Sequence, residues 1–181
     1  MRNQCLAHRF QMNTPLKVSD LVNQVGEKAQ YNTQHYGKRP YGVGLLVAGV
    51  DEDGPHLFTT QPSGLCEEVV AFAIGARSQM ARTYLEKKVE EFATADREEL
   101  VLHGLRALRE SLVQDRELTV DNTSVGIVGC DEKGRAKESF KVYDGQDVHG
   151  WIERVNDESG DKGEGDGEDE AAAAESMEVD S

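Results

Sequence analysis

The stretch from Tyr41 to Thr60, YGVGLLVAGVDEDGPHLFTT, sets the fold. Pro40 to Val50 is a dense apolar run broken only by glycines, the pattern of a buried strand. Asp51-Glu52-Asp53-Gly54 is a turn signal, and His56 to Thr60 predicts the returning strand. Pro62-Ser63-Gly64 breaks the chain again, and Glu68 to Ile74 predicts a third strand that stops at Gly75.

Helical spacing surrounds this block. Asn3 to Gln11 looks like a helix already under way, without a capping signal before it, and Pro15 ends it. From Val18 to Tyr31, Leu21, Val22, Val25 and Ala29 share one helical face, with Gly26 a slight weakness. Downstream, Ser78 to Phe92 aligns Ala81, Tyr84, Leu85, Val89 and Phe92. Arg97 to Val113 aligns Val101, Leu105, Leu108 and Leu112, with Asp96 and Glu99 as a capping box. Thr123 to Cys130 and Glu138 to Tyr143 alternate as two further strands around the turn Asp131 to Gly134. A last helix, Gln146 to Val155, places Val148, Trp151, Ile152 and Val155 together. Grouped strands beside grouped helices predict an α+β fold, layered and mainly antiparallel.

Charge divides the chain unevenly. Of 181 residues, 20 are basic and 34 acidic, a net −14. Eleven acids and one base, Lys162, lie between Asp157 and Ser181, so most of the net charge sits there. Residues 157–181 are therefore read as a disordered acidic tail, too poor in apolar side chains to offset the entropy of ordering. Residues 1–156 form the domain. Neither part carries the basic footprint of a nucleic-acid binder. No run reaches the ~20 apolar residues of a membrane helix. The first residues lack the apolar core of a signal peptide, which points to cytoplasm and nucleus. Cys5, Cys66 and Cys130 are scattered, odd in number and read as free thiols.

No constellation of catalytic type assembles from spacing. Gly44 and Gly49 have phosphate-loop spacing, but Val50-Asp51 follow where Lys and Ser or Thr are required. Gly42-Val43-Gly44 is followed by Val47 where a dinucleotide fingerprint needs its third glycine. These glycines read instead as close-packing positions in a sheet. His8, His35, His56, His103 and His149 never stand at i, i+4, so no metal motif forms. His103 sits beside an apolar stripe as a partly buried or surface residue. Ser78 follows a strand at a helix start but lacks the GxSxG context, and reads as a helix cap. Glu67-Glu68 and Glu98-Glu99 are neighbours that cannot face each other. Cys66 has no activating base nearby in sequence. The expected site list is empty: no catalytic residue, no cofactor and no metal.

Three stretches together resemble one family. Arg39 to Gly49 with Gly54-Pro55-His56-Leu57 is similar to the central hairpin of proteasome alpha-type subunits. Pro62-Ser63-Gly64 resembles that family's Asp-Pro-Ser-Gly turn, with Gln61 in place of the acid. Ala73 to Gln79, with Ala81 and Tyr84-Leu85-Glu86, resembles its strand-to-helix junction. GARSQMARTYLE (75–86), HGLRALRESL (103–112) and NTSVGIVG (122–129), together with the acidic tail, are similar to the type-1 branch of the family. The resemblance covers nearly all of residues 1–156.

The resemblance implies an αββα sandwich of the N-terminal nucleophile hydrolase type, two antiparallel sheets between helix layers. It implies a structural role without catalysis in the seven-membered alpha ring of the 20S core. Partners would be neighbouring alpha subunits, beta subunits and the regulatory particle, serving ubiquitin-dependent protein degradation. The family's gate signature, a long helix, its first strands and the activator-pocket lysine have no counterpart here, so the expected sandwich is incomplete. An isolated chain is then expected to be poorly stable. Two other readings remain. One is an amidohydrolase with an N-terminal nucleophile, for which Cys5 is the nearby candidate. The other is an acidic-tail interaction module outside the proteasome.

Overall fold

A computed structural model describes residues 1–113, 116–130 and 136–160. The element order is α1 (Arg2–Met12), α2 (Val18–Gln34), β1 (Leu45–Asp51), β2 (Gly54–Thr60), β3 (Cys66–Glu68), α3 (Ser78–Phe92), α4 (Arg97–Glu110), β4 (Val125–Cys130), β5 (Ala136–Tyr143) and α5 (Gln146–Gly160). The architecture is α+β with antiparallel sheets. One sheet has the order β1-β2-β3, and the other pairs β4 with β5.

The first hairpin closes at Asp51 opposite Gly54, with φ of 124° at Gly54. Only glycine takes that conformation without strain. Asp51 Oδ1 accepts the Asp53 N–H at 3.0 Å and stiffens the turn. The strand expected from Pro40 begins only at Leu45. Leu45 stands opposite Thr60, and beyond Thr60 the chain turns back through Gln61 to Leu65, leaving Tyr41 to Gly44 without a partner strand. Nor is β1 the buried strand its composition suggests, since Leu45 and Leu46 are exposed.

The third strand also differs from expectation. It spans Cys66 to Glu68 rather than Glu68 to Ile74. The Leu57 carbonyl accepts the Val69 N–H at 2.9 Å, so Leu57 turns its backbone groups toward this neighbour. Pro55, two residues earlier on β2, directs its backbone to the same side and has no N–H to offer. The ladder stops there. Residues 69–74 run on as irregular chain held by α3, where Arg82 Nε donates to the Ala73 carbonyl at 2.9 Å and its guanidinium lies 4.0 Å from the Phe72 ring centre.

Helix α2 covers the three-stranded sheet with Val18, Val22, Gly26 and Ala29 buried. Of the expected face, Leu21 and Val25 are half-buried and Gly26 replaces them as a contact point. Helix α4 carries the expected capping box: Asp96 accepts the Glu99 N–H at 2.9 Å, and Glu99 accepts the Asp96 N–H at 3.2 Å. Its buried residues are His103, Leu105 and Ala107, while Leu108 of the expected stripe is exposed. The second core joins Leu105 of α4, Leu118, and Val148, Ile152 and Val155 of α5, with Val125, Tyr143 and Trp151 against it. Val148 and Val155 are 0% exposed. The Arg109 guanidinium donates to the Val155 carbonyl and ties α4 to α5.

Helix α5 continues to Gly160, so Asp157 to Gly160, placed by sequence in the tail, are helical. No glycine or proline interrupts the helix between Trp151 and Ser159. The rest of the expected tail, 161–181, lies outside the described residues, as does the Asp131 to Gly134 turn.

Gly26 offers a direct test of this packing. A Cβ there would stand 2.6 Å from Cys66 Sγ and 2.9 Å from the Gly64 carbonyl oxygen. On an open helix Gly→Ala stabilises by about 1 kcal/mol. Here Gly26→Ala should lower stability by about 1–3 kcal/mol through overpacking against backbone. Thermal denaturation in the assembly in which the chain purifies decides it, and a stabilised variant would mean that α2 does not touch the Gly64 turn.

Candidate functional site

The densest polar constellation lies where β1, β2, β3 and α2 meet. His56 stands on β2 opposite Gly49, which makes Asp51 its diagonal neighbour on β1. Phe58 stands opposite Glu68, which makes Glu68 the diagonal neighbour of His56 on β3. Diagonal positions share a face of the sheet. His56 Nε2 lies 2.9 Å from Asp51 Oδ1, and His56 Nδ1 lies 2.5 Å from Glu68 Oε1. Asp51 Oδ2 accepts the Val18 N–H at 3.1 Å, at the first turn of α2. An anion there also meets the positive end of the helix dipole. Beside it, Lys17 Nζ reaches Asp53 Oδ2 at 2.9 Å on the exposed side.

The electrostatics follow from this geometry. Burial pushes the Asp51 carboxyl upward, but the Val18 and Asp53 N–H groups and His56 outweigh it and hold it below the usual carboxylate range. Glu68, hydrogen-bonded to His56, raises the imidazole above its ordinary value, with burial opposing and Asp51 assisting. The cluster is thus built to hold charge, and it does so while joining three strands to a helix.

A second cluster joins α3 to α4. The Tyr84 hydroxyl lies 3.0 Å from His103 Nδ1, and His103 Nε2 lies 3.7 Å from Glu91 Oε2. Phe92 meets the His103 ring edge-on at 5.3 Å. His103, read by sequence as partly buried or surface, is buried. It faces a cleft of about 420 Å³ whose walls include Leu46, Leu57, Ile74, Leu85 and Ala107. A second cleft, about 920 Å³, opens between α4 and β4 along Leu100, Val101, Leu108, Ile127 and Val128. Both clefts are predominantly apolar.

The other candidates are scattered. His8 contacts the Thr14 carbonyl at 3.1 Å, His35 the Tyr31 carbonyl at 3.0 Å, and His149 Glu153 at 3.3 Å. Among the described residues no group of three His, Cys, Asp or Glu side chains is placed to hold a metal, and no helix is long and apolar enough to cross a membrane. Ser78 is not the cap of α3: Arg77, with φ of 55°, takes that position. Ser78 already has helical geometry, whereas an N-cap side chain acts from the residue just before the helix. Cys66 Sγ approaches the Val22 and Gly64 carbonyls at 3.6 and 3.5 Å, and burial pushes its thiol up. Cys5 lies inside α1, its N–H donating to the Met1 carbonyl at 3.1 Å. Glu68 serves His56, Glu99 serves the capping box, and Glu98 lies 3.5 Å from Arg154. Gly44 and Gly49 are close-packing glycines: a Cβ would stand 3.2 Å from the Thr60 oxygen and 2.7 Å from a Val18 methyl, respectively.

Sequence spacing missed both histidine clusters because each joins separate elements. The signal for the first was present in the hairpin register, where Asp51, His56 and Glu68 fall on one face once β1, β2 and β3 are aligned.

The geometry is that of an α+β domain whose polar clusters join its elements and whose clefts are apolar. The profile of the proteasome subunit family matches residues 1–128. A probable proteasome subunit alpha type-6 from Schizosaccharomyces pombe is 45% identical over 97% of this chain and 61% of its own length. Proteasome subunit alpha type-1 from Dictyostelium discoideum is 42% identical over 87% of this chain and 62% of its own length. Proteasome subunit alpha type-6 from Saccharomyces cerevisiae is 45% identical over 84% of this chain and 63% of its own. The chain belongs to the proteasome subunit family, on its alpha-type side. It spans about three fifths of the length of these relatives.

Asp51 is the acceptor on which the first cluster depends. Asp51→Asn, which keeps the shape and removes the charge, should cost about 2 kcal/mol at neutral pH, the scale of hydrogen bonds to a buried charged acceptor. Because the folded carboxyl titrates below its ordinary 3.8, the wild-type advantage should be complete above that value and vanish as pH falls through the folded one. Denaturation midpoints of both proteins between pH 2 and pH 7, each in the assembly in which it purifies, check this, and parallel curves at all pH values would remove Asp51 from its role.

Proposed function

We propose that the chain serves as a non-catalytic structural subunit of the alpha ring of the 20S proteasome core, in the cytoplasm and nucleus. Its neighbours would be other alpha subunits, beta subunits and the regulatory particle, and the work of the assembly would be ubiquitin-dependent protein degradation. Nucleic acid and membrane are not among these partners. The elements α1 to α5 and β1 to β5 would belong to an incomplete four-layer αββα sandwich of the N-terminal nucleophile hydrolase fold.

The observation that carries the reading is the likeness, at 42–45% identity and over most of the chain, to proteins named as alpha-type subunits. The surface agrees with an assembled role. Phe10, Val70 and Phe140 are 91%, 74% and 67% exposed, and Leu6, Val43 and Met12 are also exposed. Leu6 and Phe10 stand four residues apart on one face of α1, which suits contact with a neighbour. The amidohydrolase alternative requires the nucleophile to carry a free α-amino group, whereas Cys5 has its backbone nitrogen inside a helix.

Two measurements test the proposal together. Co-expressed with alpha- and beta-type proteasome subunits, the chain should co-purify in a particle resolved by native gel and mass spectrometry, while the chain alone should aggregate or melt without cooperativity. Neither the free chain nor its Cys5→Ala variant should cleave small fluorogenic peptides. Turnover by the free chain that disappears in Cys5→Ala would establish the hydrolase instead. A soluble monomer ignored by every proteasome subunit would leave the interaction-module reading.

A further inference from the structure

His56 is bracketed in a way that only one protonation state satisfies. Both of its ring nitrogens face carboxylate oxygens, Nε2 toward Asp51 at 2.9 Å and Nδ1 toward Glu68 at 2.5 Å. A neutral imidazole carries one N–H, so it can donate to one of these acceptors and must turn a lone pair toward the other. The imidazolium donates to both. Asp51 does not stand alone: its second oxygen holds the Val18 N–H, and its first also holds the Asp53 N–H. The Asp51 side chain is 6% exposed and that of His56 21%, so water replaces these bonds only if the elements separate.

We propose that His56 is a proton-operated clasp that holds β3 to β1 and β2 when charged and frees the β3 edge when it loses its proton. The groups around it support this direction. Asp51 faces the ring from β1 and Glu68 from β3. From the α2 side the nearest cation, Lys17, is paired with Asp53 in the turn. Glu52 lies in the same turn and adds to the negative surroundings of Lys17. Two anions thus flank one imidazole, and the charge that offsets them is its own.

The sign follows. The folded protein holds the His56 proton more tightly than the ordinary value of 6.5, chiefly through Glu68. Stability from the clasp is fully present below 6.5 and is lost as pH rises through the folded value. With the proton gone, Glu68 is the freer partner, since its side chain is 56% exposed while Asp51 stays bonded to backbone. The strain of the neutral state then falls on the β3 edge.

Hydrogen–deuterium exchange of the 181-residue chain, in whichever assembly it purifies, reads this directly. After correction for the intrinsic pH dependence of exchange, peptides covering Cys66 to Val69 should lose protection as pH rises above 6.5 through the folded value of His56. Peptides covering α5 serve as the internal reference and should not follow. His56→Gln should flatten the profile, and Glu68→Gln should move it to lower pH. Flat wild-type protection at Cys66 to Val69, or the same profile in His56→Gln, would overturn the clasp. Should His56→Gln fail to fold, the wild-type curve and the Glu68→Gln shift decide the matter alone.

Discussion

Helix α2 lies on the three-stranded sheet because glycine removes side chains wherever the two come closest. A Cβ on Gly26 would meet Cys66 Sγ at 2.6 Å, one on Gly64 would meet the Gly26 oxygen at 2.8 Å, and one on Gly49 would meet Val18 Cγ2 at 2.7 Å. Helix and sheet backbones therefore approach closely at both ends of the contact. That approach brings the Val18 N–H within reach of Asp51 and the Val22 carbonyl within reach of Cys66. It also requires the tight Gln61–Leu65 turn, where Gly64 takes φ of 93°. A larger residue at any of these points would move α2 outward and separate Asp51 from the amide it holds. The glycines that look like phosphate-loop punctuation in sequence are, at positions 44 and 49, spacing devices.

The chain order was legible because each element carries its own period. The Ser78–Phe92 helix, the Asp96–Glu99 box and the apolar set Val148, Ile152 and Val155 all stand where spacing puts them. The failures are at places where a partner decides. Tyr41 to Gly44 has strand composition but nothing opposite it, and Val69 to Ile74 loses its ladder at a proline on another strand. A β-strand exists only with its neighbour, so composition alone overextends it. Leu108 shows the same limit in a helix: it holds a stripe position, yet the space opposite is a cleft and the residue stays exposed. The histidine clusters were illegible for a related reason. Their members are ordinary in their own segments and become a site only after register and helix docking are known.

The two halves of the molecule are held differently. In the first, α2 sits on its sheet through backbone proximity and a charged node. In the second, α4 and α5 share an apolar core with Leu118, and β4 and β5 contribute Val125 and Tyr143 to it. Strands β1 and β4 are in contact, so the sheets meet, but the clefts beside α4 show that they do not fill the space between them. Filling such space with side chains is what gives an interior its density.

Helix α4 stands at the seam. Leu100, Gly104 and Leu108 border both clefts, so this side of the helix has apolar neighbours at a distance rather than in contact. Apolar burial on that side cannot fix where the helix lies. Polar ties at its ends and along one flank do so instead. The capping box closes its first turn, Arg109 reaches the Val155 carbonyl from its last turn, and His103 takes the Tyr84 hydroxyl from α3. Hydrogen bonds of this kind are directional and hold a position even where packing is incomplete. The histidines of the two clusters therefore serve the alignment of the elements they join.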